Sequence, residues 1–262
     1  MAELGVRVLQ SHEARGLRIH VAVGSVVEFK GDAFVNAANE GCLSGGGVDG
    51  AVCDAGGPEL ARARLALPIA PGTTDVRCRC GYAVVTPASG KLHCRWVLHA
   101  VGPNYHSVDS DSVGDELLRS AYSQALARAA EQPELRTLAF SLLSSGIFRA
   151  GRPLATVLGI GLTAIRDFTA QADRGEVTEV YFVAFTPAEQ VELIRAAPAL
   201  LAEQPRQAEE EPRQAAVPGA AVLPEEAGAP AELRAPVEAA PLPLQVESSP
   251  SAEIHPALDE RA

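Results

Sequence analysis

A run of three glycines, Gly45-Gly46-Gly47, stands between an apolar stretch and a helical one, and few folds can use such a run. Upstream, Ala33–Asn36 is short and apolar enough for a buried strand. Downstream, Val48–Asp54 opens a helix. Consecutive glycines reach φ > 0 and let the backbone approach a ligand with no Cβ in the way. They deliver the chain to a helix start, where unpaired N–H groups and the positive end of the helix dipole favour an anion. The segment Asn36–Gly50 is therefore expected to cradle a phosphate-bearing ligand at a strand-to-helix junction.

The run also reads formally as Gly45-x-Gly47-x-x-Gly50, the pattern of a dinucleotide-binding turn. That turn must follow its strand directly and carry an acidic residue about 20 positions on. Here a loop, Asn39–Gly46, intervenes, and position 70 is Ala, so a nicotinamide dehydrogenase is set aside.

The rest of the chain alternates. Strands are expected at Val6–Gln10, Leu17–Val23, Tyr82–Thr86, Arg95–Val101, Thr137–Leu143 and Val177–Phe185. Helices are expected at Pro58–Leu65, Asp115–Glu131, Arg152–Phe168 and Ala188–Leu201, the second on an apolar stripe from Leu117 to Ala129. Such alternation gives an α/β fold with a mixed, mostly parallel sheet and helices on both faces. Ligands of such sheets sit at the carboxyl ends of the strands. Two Gly- and Ser-rich segments follow strands, Asn36–Gly50 and Ser141–Gly151, and both should lie at that edge.

Composition divides the chain at about residue 200. Residues 201–262 contain no aromatic residue, 10 of the 19 prolines, and 12 acidic residues against 4 arginines, a net −8 of the chain's −11. A Pro/Ala/Glu-rich acidic segment of this kind cannot bury enough apolar surface to offset the entropy of ordering, and is expected to be a disordered tail. Residues 1–200 are expected to form one domain, nearly neutral at −3, which disfavours nonspecific nucleic-acid binding. No apolar run is long enough to span a membrane. Five cysteines and an N-terminus without a secretory pattern suggest a reducing compartment, cytoplasmic or nuclear. Cys78-Arg79-Cys80 has the wrong spacing for a zinc knuckle and reads as free thiols. No metal and no cofactor are expected, and a monomer is the default state.

Asn36 and Asn39 lie at the strand exit, where an amide offers a donor and an acceptor to sugar hydroxyls or caps a turn. Asp49, one residue into the glycine-led helix, either answers the helix dipole or orients a water.

The segments Asp32–Asn39 and Gly45–Ala51 resemble the signature of macro domains. The resemblance continues through Gly57–Leu60, Val97–Pro103 and Ala139–Phe148, in order, across about Leu17 to Ile194. It implies a three-layer α/β/α sandwich that binds ADP-ribose or O-acetyl-ADP-ribose. It implies that Gly45, Gly46, Gly47 and Val48, with Ser144, Ser145, Gly146, Ile147 and Phe148, hold the diphosphate and distal ribose. Asn39 would bond the distal ribose, Ser25 and Val26 would border the adenine, and Phe185 would stack on the base. Asp49 and Asn39 match the residues that act on water in the hydrolytic branch. The implied activity is hydrolysis of mono-ADP-ribosyl esters on acidic side chains of proteins, or of O-acetyl-ADP-ribose. ADP-ribose-1″-phosphate is a variant substrate, and the alternative is a noncatalytic reader of ADP-ribosylated proteins.

The chain departs from the pattern at several positions. Ser25 stands where the family carries an Asp for the adenine amino group, a loss worth about 1–2 kcal/mol. Ser44 replaces a first glycine, Cys53 a frequent His, and Arg149 a Gly; Arg149 is expected to be solvated rather than on the phosphates.

Overall fold

The structure, a computed structural model, describes residues 4–202. Nearly all of the acidic segment expected from Leu201 onward lies outside the described residues. In chain order the strands are β1 (Arg7–Ala14), β2 (Leu17–Val23), β3 (Ala33–Ala37), β4 (Ala83–Pro87), β5 (Trp96–Ala100), β6 (Thr137–Phe140) and β7 (Glu179–Ala184). The helices are α1 (Val48–Leu65), α2 (Asp111–Ala130), α3 (Leu154–Thr169) and α4 (Pro187–Leu201). The strands form one sheet in the order β1-β2-β7-β6-β3-β5-β4. The two outer pairs are antiparallel and the four inner pairs parallel. Among the described residues no helix is long and apolar enough to cross a membrane.

Strand alternation builds the layers. Val35, Leu98, Phe140 and Phe182 face one side and pack under α2, α3 and α4, through Leu118, Tyr122, Leu162 and Leu193. Phe34, Val97, Ala139 and Tyr181 face the other side, with Val52 and Leu60 of α1. The result is the α/β/α sandwich with a mixed, mostly parallel sheet that the residue pattern and the resemblance imply.

The boundaries differ where local chemistry outweighs periodicity. The first strand runs to Ala14, because the tight turn falls at Arg15 and Gly16, both at positive φ (50° and 77°). Helix α2 starts at Asp111 rather than Asp115; Ser110 Oγ accepts the Val113 N–H at 3.3 Å and caps it before the apolar stripe begins. Residues 141–143 leave the sheet. Ser141 Oγ donates to Val35 O at 2.8 Å, and the Leu143 N–H goes to the buried Tyr122 hydroxyl at 2.9 Å. The two expected helices at Val48–Asp54 and Pro58–Leu65 are one element broken at Gly57, which has φ 63° and ψ −161° ahead of Pro58.

Gly161 in α3 has a steric reason. A Cβ there would lie 2.6 Å from Phe182 and 2.7 Å from Tyr122, so α3 packs against the sheet at glycine distance. Alanine favours an isolated helix by about 1 kcal/mol over glycine. Overpacking a filled core costs about 1–3 kcal/mol and should win here. Gly161→Ala is expected to lower the urea midpoint; a raised midpoint would show that α3 stands farther from the sheet.

Candidate functional site

A cavity of about 720 Å³ opens over the carboxyl ends of β2, β7, β6 and β3. Its floor and walls come from the loops that leave those strands. All the site residues expected from the sequence line it except Asn36. Ser25 and Val26 follow β2, Asn39 and Gly45–Asp49 follow β3, Ser144–Phe148 follow β6, and Phe185 follows β7.

Two helix starts face this cavity without a side-chain cap. Gly47 precedes α1 at φ 60°, and Gly146 precedes a single 3₁₀ turn, Ile147–Arg149. By contrast Ser110 caps α2, and Thr186 and Glu189 form a capping box on α4. A Cβ built on Gly46, Gly47 or Gly146 would meet nothing within 4 Å. The backbone N–H groups of both starts are therefore open to an anion.

The second loop is held from behind. Ser144, at φ 52°, turns its hydroxyl away to donate to Pro103 O at 2.7 Å. Ser145 Oγ donates to Glu189 Oε1 at 2.7 Å. Glu189 Oε2 accepts the N–H groups of Phe185 and Thr186 at 3.0 and 2.9 Å. Glu189 thus ties the β7 exit to the Ser144–Phe148 loop, a role its sequence position did not suggest. Arg149 is not free in solvent as expected. Its Nε donates to Ser145 O at 3.1 Å and its Nη1 to Arg152 O at 2.7 Å, bracing its own loop. Phe185 is 77 % exposed and Ile147 85 %, two large apolar side chains at the mouth. Ser25 caps the short turn Val26–Glu28 by accepting the Val27 N–H at 3.3 Å.

The Asn39 side chain closes the first loop. Its Nδ2 donates to Ser44 O at 2.8 Å and its Oδ1 accepts the Cys42 N–H at 3.2 Å. Each end keeps one further bonding site, the second amide hydrogen and the second lone pair.

Asn36 differs from the sugar-facing position expected of it. It is fully buried beneath the cavity in a polar chain that crosses three strands. Asn36 Nδ2 donates to Asp49 Oδ1 at 2.6 Å and lies 3.1 Å from His99 Nδ1. Its two hydrogens serve these two acceptors, so Nδ1 carries no proton. The proton sits on Nε2, which donates to Thr86 Oγ1 at 3.0 Å. Burial, with the charge of Arg64 adding to it, pushes His99 down to a pKa of about 3. The fully buried Arg64 completes the chain, with Nη2 2.8 Å from Asp49 Oδ1. Sequence reading missed Arg64 and gave His99 no role beyond the resemblance. The signal for Arg64 was its place four residues after Leu60 on the buried stripe Val52, Gly56, Leu60.

The macro domain family model matches residues 35–158. A macro domain-containing protein of Cupriavidus necator is 40% identical over 170 residues, 65% of this chain and 91% of that protein. An O-acetyl-ADP-ribose deacetylase of Salmonella newport is 37% identical over 168 residues, 64% of this chain and 87% of the relative. Among solved structures, the Oceanobacillus iheyensis macrodomain with ADP superposes with a TM-score of 0.64 at 27% identity, covering 73% of this chain and 96% of that one. The Trypanosoma brucei macrodomain in complex with ADP gives 0.56 at 31%, covering 68% of each.

The neutral His99 makes acid stability testable. Its pKa is 6.5 ordinarily and lower when folded, so the unfolded chain takes up the proton first. The stability contributed by the neutral ring is complete above pH 6.5 and is lost as pH falls toward 3. By pH 5 the loss is about 2 kcal/mol. Urea denaturation at pH 7 and pH 5 should show this loss in wild type and a smaller one in His99→Gln. Equal losses would mean that His99 does not hold a depressed pKa.

Proposed function

As the chain belongs to the macro domain family, we propose that its cavity binds ADP-ribose and that it hydrolyses ADP-ribosyl esters. One observation carries the binding: two uncapped, glycine-led turns, at Gly47 and Gly146, open onto the same cavity. Two sets of backbone N–H groups suit a diphosphate and need no basic side chain, which accords with a domain of nearly neutral charge. Gly45–Val48 and Ser144–Phe148 are the proposed diphosphate loops. Phe185 offers an aromatic face for the base, and Ser25 and Val26 border it without a charged acceptor. Asn39 and Asp49 stand at the distal-ribose end.

Support for hydrolysis comes from the relatives named O-acetyl-ADP-ribose deacetylase and from Asp49. Its Oδ2 is buried in the cavity wall, unpartnered among the described residues, and can accept a hydrogen bond from a water or a ribose hydroxyl. Water adds across the ester bond, giving a free carboxylic acid and ADP-ribose; for O-acetyl-ADP-ribose the acid is acetic acid. The reader alternative has one observation in its favour: Asn39 already uses one amide hydrogen and one lone pair in closing the loop, leaving one of each for a ligand.

Calorimetric titration without added metal should show ADP-ribose binding. Absence of heat at millimolar ADP-ribose would sink the reading. Protein labelled on acidic side chains with ADP-ribose should lose the label with wild type, and about 10²-fold or more slowly with Asp49→Ala. Equal release by both removes Asp49 from the mechanism, and no release by either selects the reader.

A further inference from the structure

The protein treats the two oxygens of Asp49 differently. Oδ1 accepts a hydrogen bond from Asn36 Nδ2 at 2.6 Å and forms an ion pair with Arg64 Nη2 at 2.8 Å, a contact of charge rather than a directed hydrogen bond. Among the described residues Oδ2 has no partner, although Asp49 is only 2% exposed. It faces Gly45, where a Cβ would come within 2.7 Å of it. Asn36 Oδ1 is likewise buried and unpartnered among the described residues. Buried acceptors left alone are costly, and a donor brought by a ligand or water relieves that cost.

Arg64 is outside the cavity, yet it reaches three parts of the site's frame. Its Nε donates to Cys42 O of the Asn39–Ser44 loop at 2.5 Å. Its Nη1 donates to Cys53 Sγ at 2.9 Å. Its Nη2 lies against the Asp49 carboxylate in the first turn of α1. The guanidinium is a rigid planar fork, so these contacts are set at fixed spacing. A lysine could supply the charge but not the fork. The loop that bears Asn39 and the turn that bears Asp49 are thus registered against one buried group.

We propose that Arg64 is a positioning residue of the ADP-ribose site. Together with Asn36 it locks Oδ1, so that the carboxylate presents Oδ2 alone to a distal-ribose hydroxyl or to the water beside it. This rests on the reading of the cavity as an ADP-ribose site. It goes beyond that reading in giving a function to a residue that touches no ligand.

ADP lacks the distal ribose, so the ratio of ADP to ADP-ribose dissociation constants isolates the end of the ligand that Asp49 faces. Calorimetry on wild type, Arg64→Met and Arg64→Lys tests the idea, with thermal melts to show that each variant is folded. Wild type should prefer ADP-ribose. The preference should fall about tenfold in Arg64→Met, the equivalent of one hydrogen bond to a charged group, with ADP affinity changed by no more than about twofold. Arg64→Lys keeps the buried charge and is the variant expected to fold in any case; its preference should fall by about threefold, because the fork is lost. A folded variant that keeps the wild-type ratio overturns the positioning role, as does a parallel weakening of ADP and ADP-ribose. If Arg64→Met does not fold, a wild-type ratio in Arg64→Lys overturns it equally. Wild type that binds neither ligand refutes the functional reading itself, and the proposal with it.

Discussion

The buried polar chain from Thr86 through His99 and Asn36 to Asp49 and Arg64 is the constraint on which the site's frame depends. It joins β4, β5, β3 and α1, with Asn36 directly opposite His99 in the parallel register. Every member is 2% exposed or less. Removing one partner of a buried ion pair costs about 3–5 kcal/mol, because the other charge is left without compensation. The chain also has a direction. Asn36 donates both hydrogens, His99 must accept at Nδ1 and donate at Nε2, and Asp49 must remain an acceptor. A polar network with this direction orients the side chains it joins, and it does so directly under the glycine run.

That rigidity explains how three glycines can be useful. Gly46 and Gly47 have no steric neighbour at the Cβ position and no side chain to hold them. Gly45 is different, because a Cβ there would come within 2.7 Å of Asp49 Oδ2 and 3.4 Å of Asn39 Nδ2. The loop is therefore pinned at both ends, by Asn39 with its bonds to Ser44 and Cys42, and by the first turn of α1. Between those pins the backbone N–H groups remain unoccupied. An anion site made this way depends on shape and backbone dipoles rather than on net charge, so a nearly neutral domain can hold a dianionic ligand.

Much of this was legible in the sequence. The apolar runs at Ala33–Asn36, Arg95–Val101 and Val177–Phe185 gave the inner strands. The two Gly/Ser-rich segments indicated the ligand edge, because both follow strands. The parts that were not legible share a physical cause: they depend on partners distant in sequence. Asn36 and Asn39 look alike at a strand exit, but Asn36 is the strand residue whose side chain points at α1, and only the register with His99 reveals that. Glu189 drew no reading from the sequence, because its bond to Ser145 exists only once the sheet brings that loop to it. Arg149 reads as a surface cation until its loop folds under it.

Arg64 and Cys53 are best understood as one feature. The family pattern frequently has a histidine where this chain has Cys53, a position one helical turn along from Asp49. A histidine there and an arginine at 64 would crowd two bulky, cation-forming side chains against a single carboxylate. A thiol is small, is raised in pKa by its burial, and accepts the Nη1 hydrogen of Arg64. It leaves room for the guanidinium between the Cys42 carbonyl and the Asp49 carboxylate. The compensation is specific in its geometry, since the guanidinium reaches both the Cys42 carbonyl and the Asp49 carboxylate from the far end of α1's buried stripe, past the break at Gly57. A departure from the pattern that looks in sequence like the loss of a site residue is, in the folded chain, the space that a buried arginine occupies.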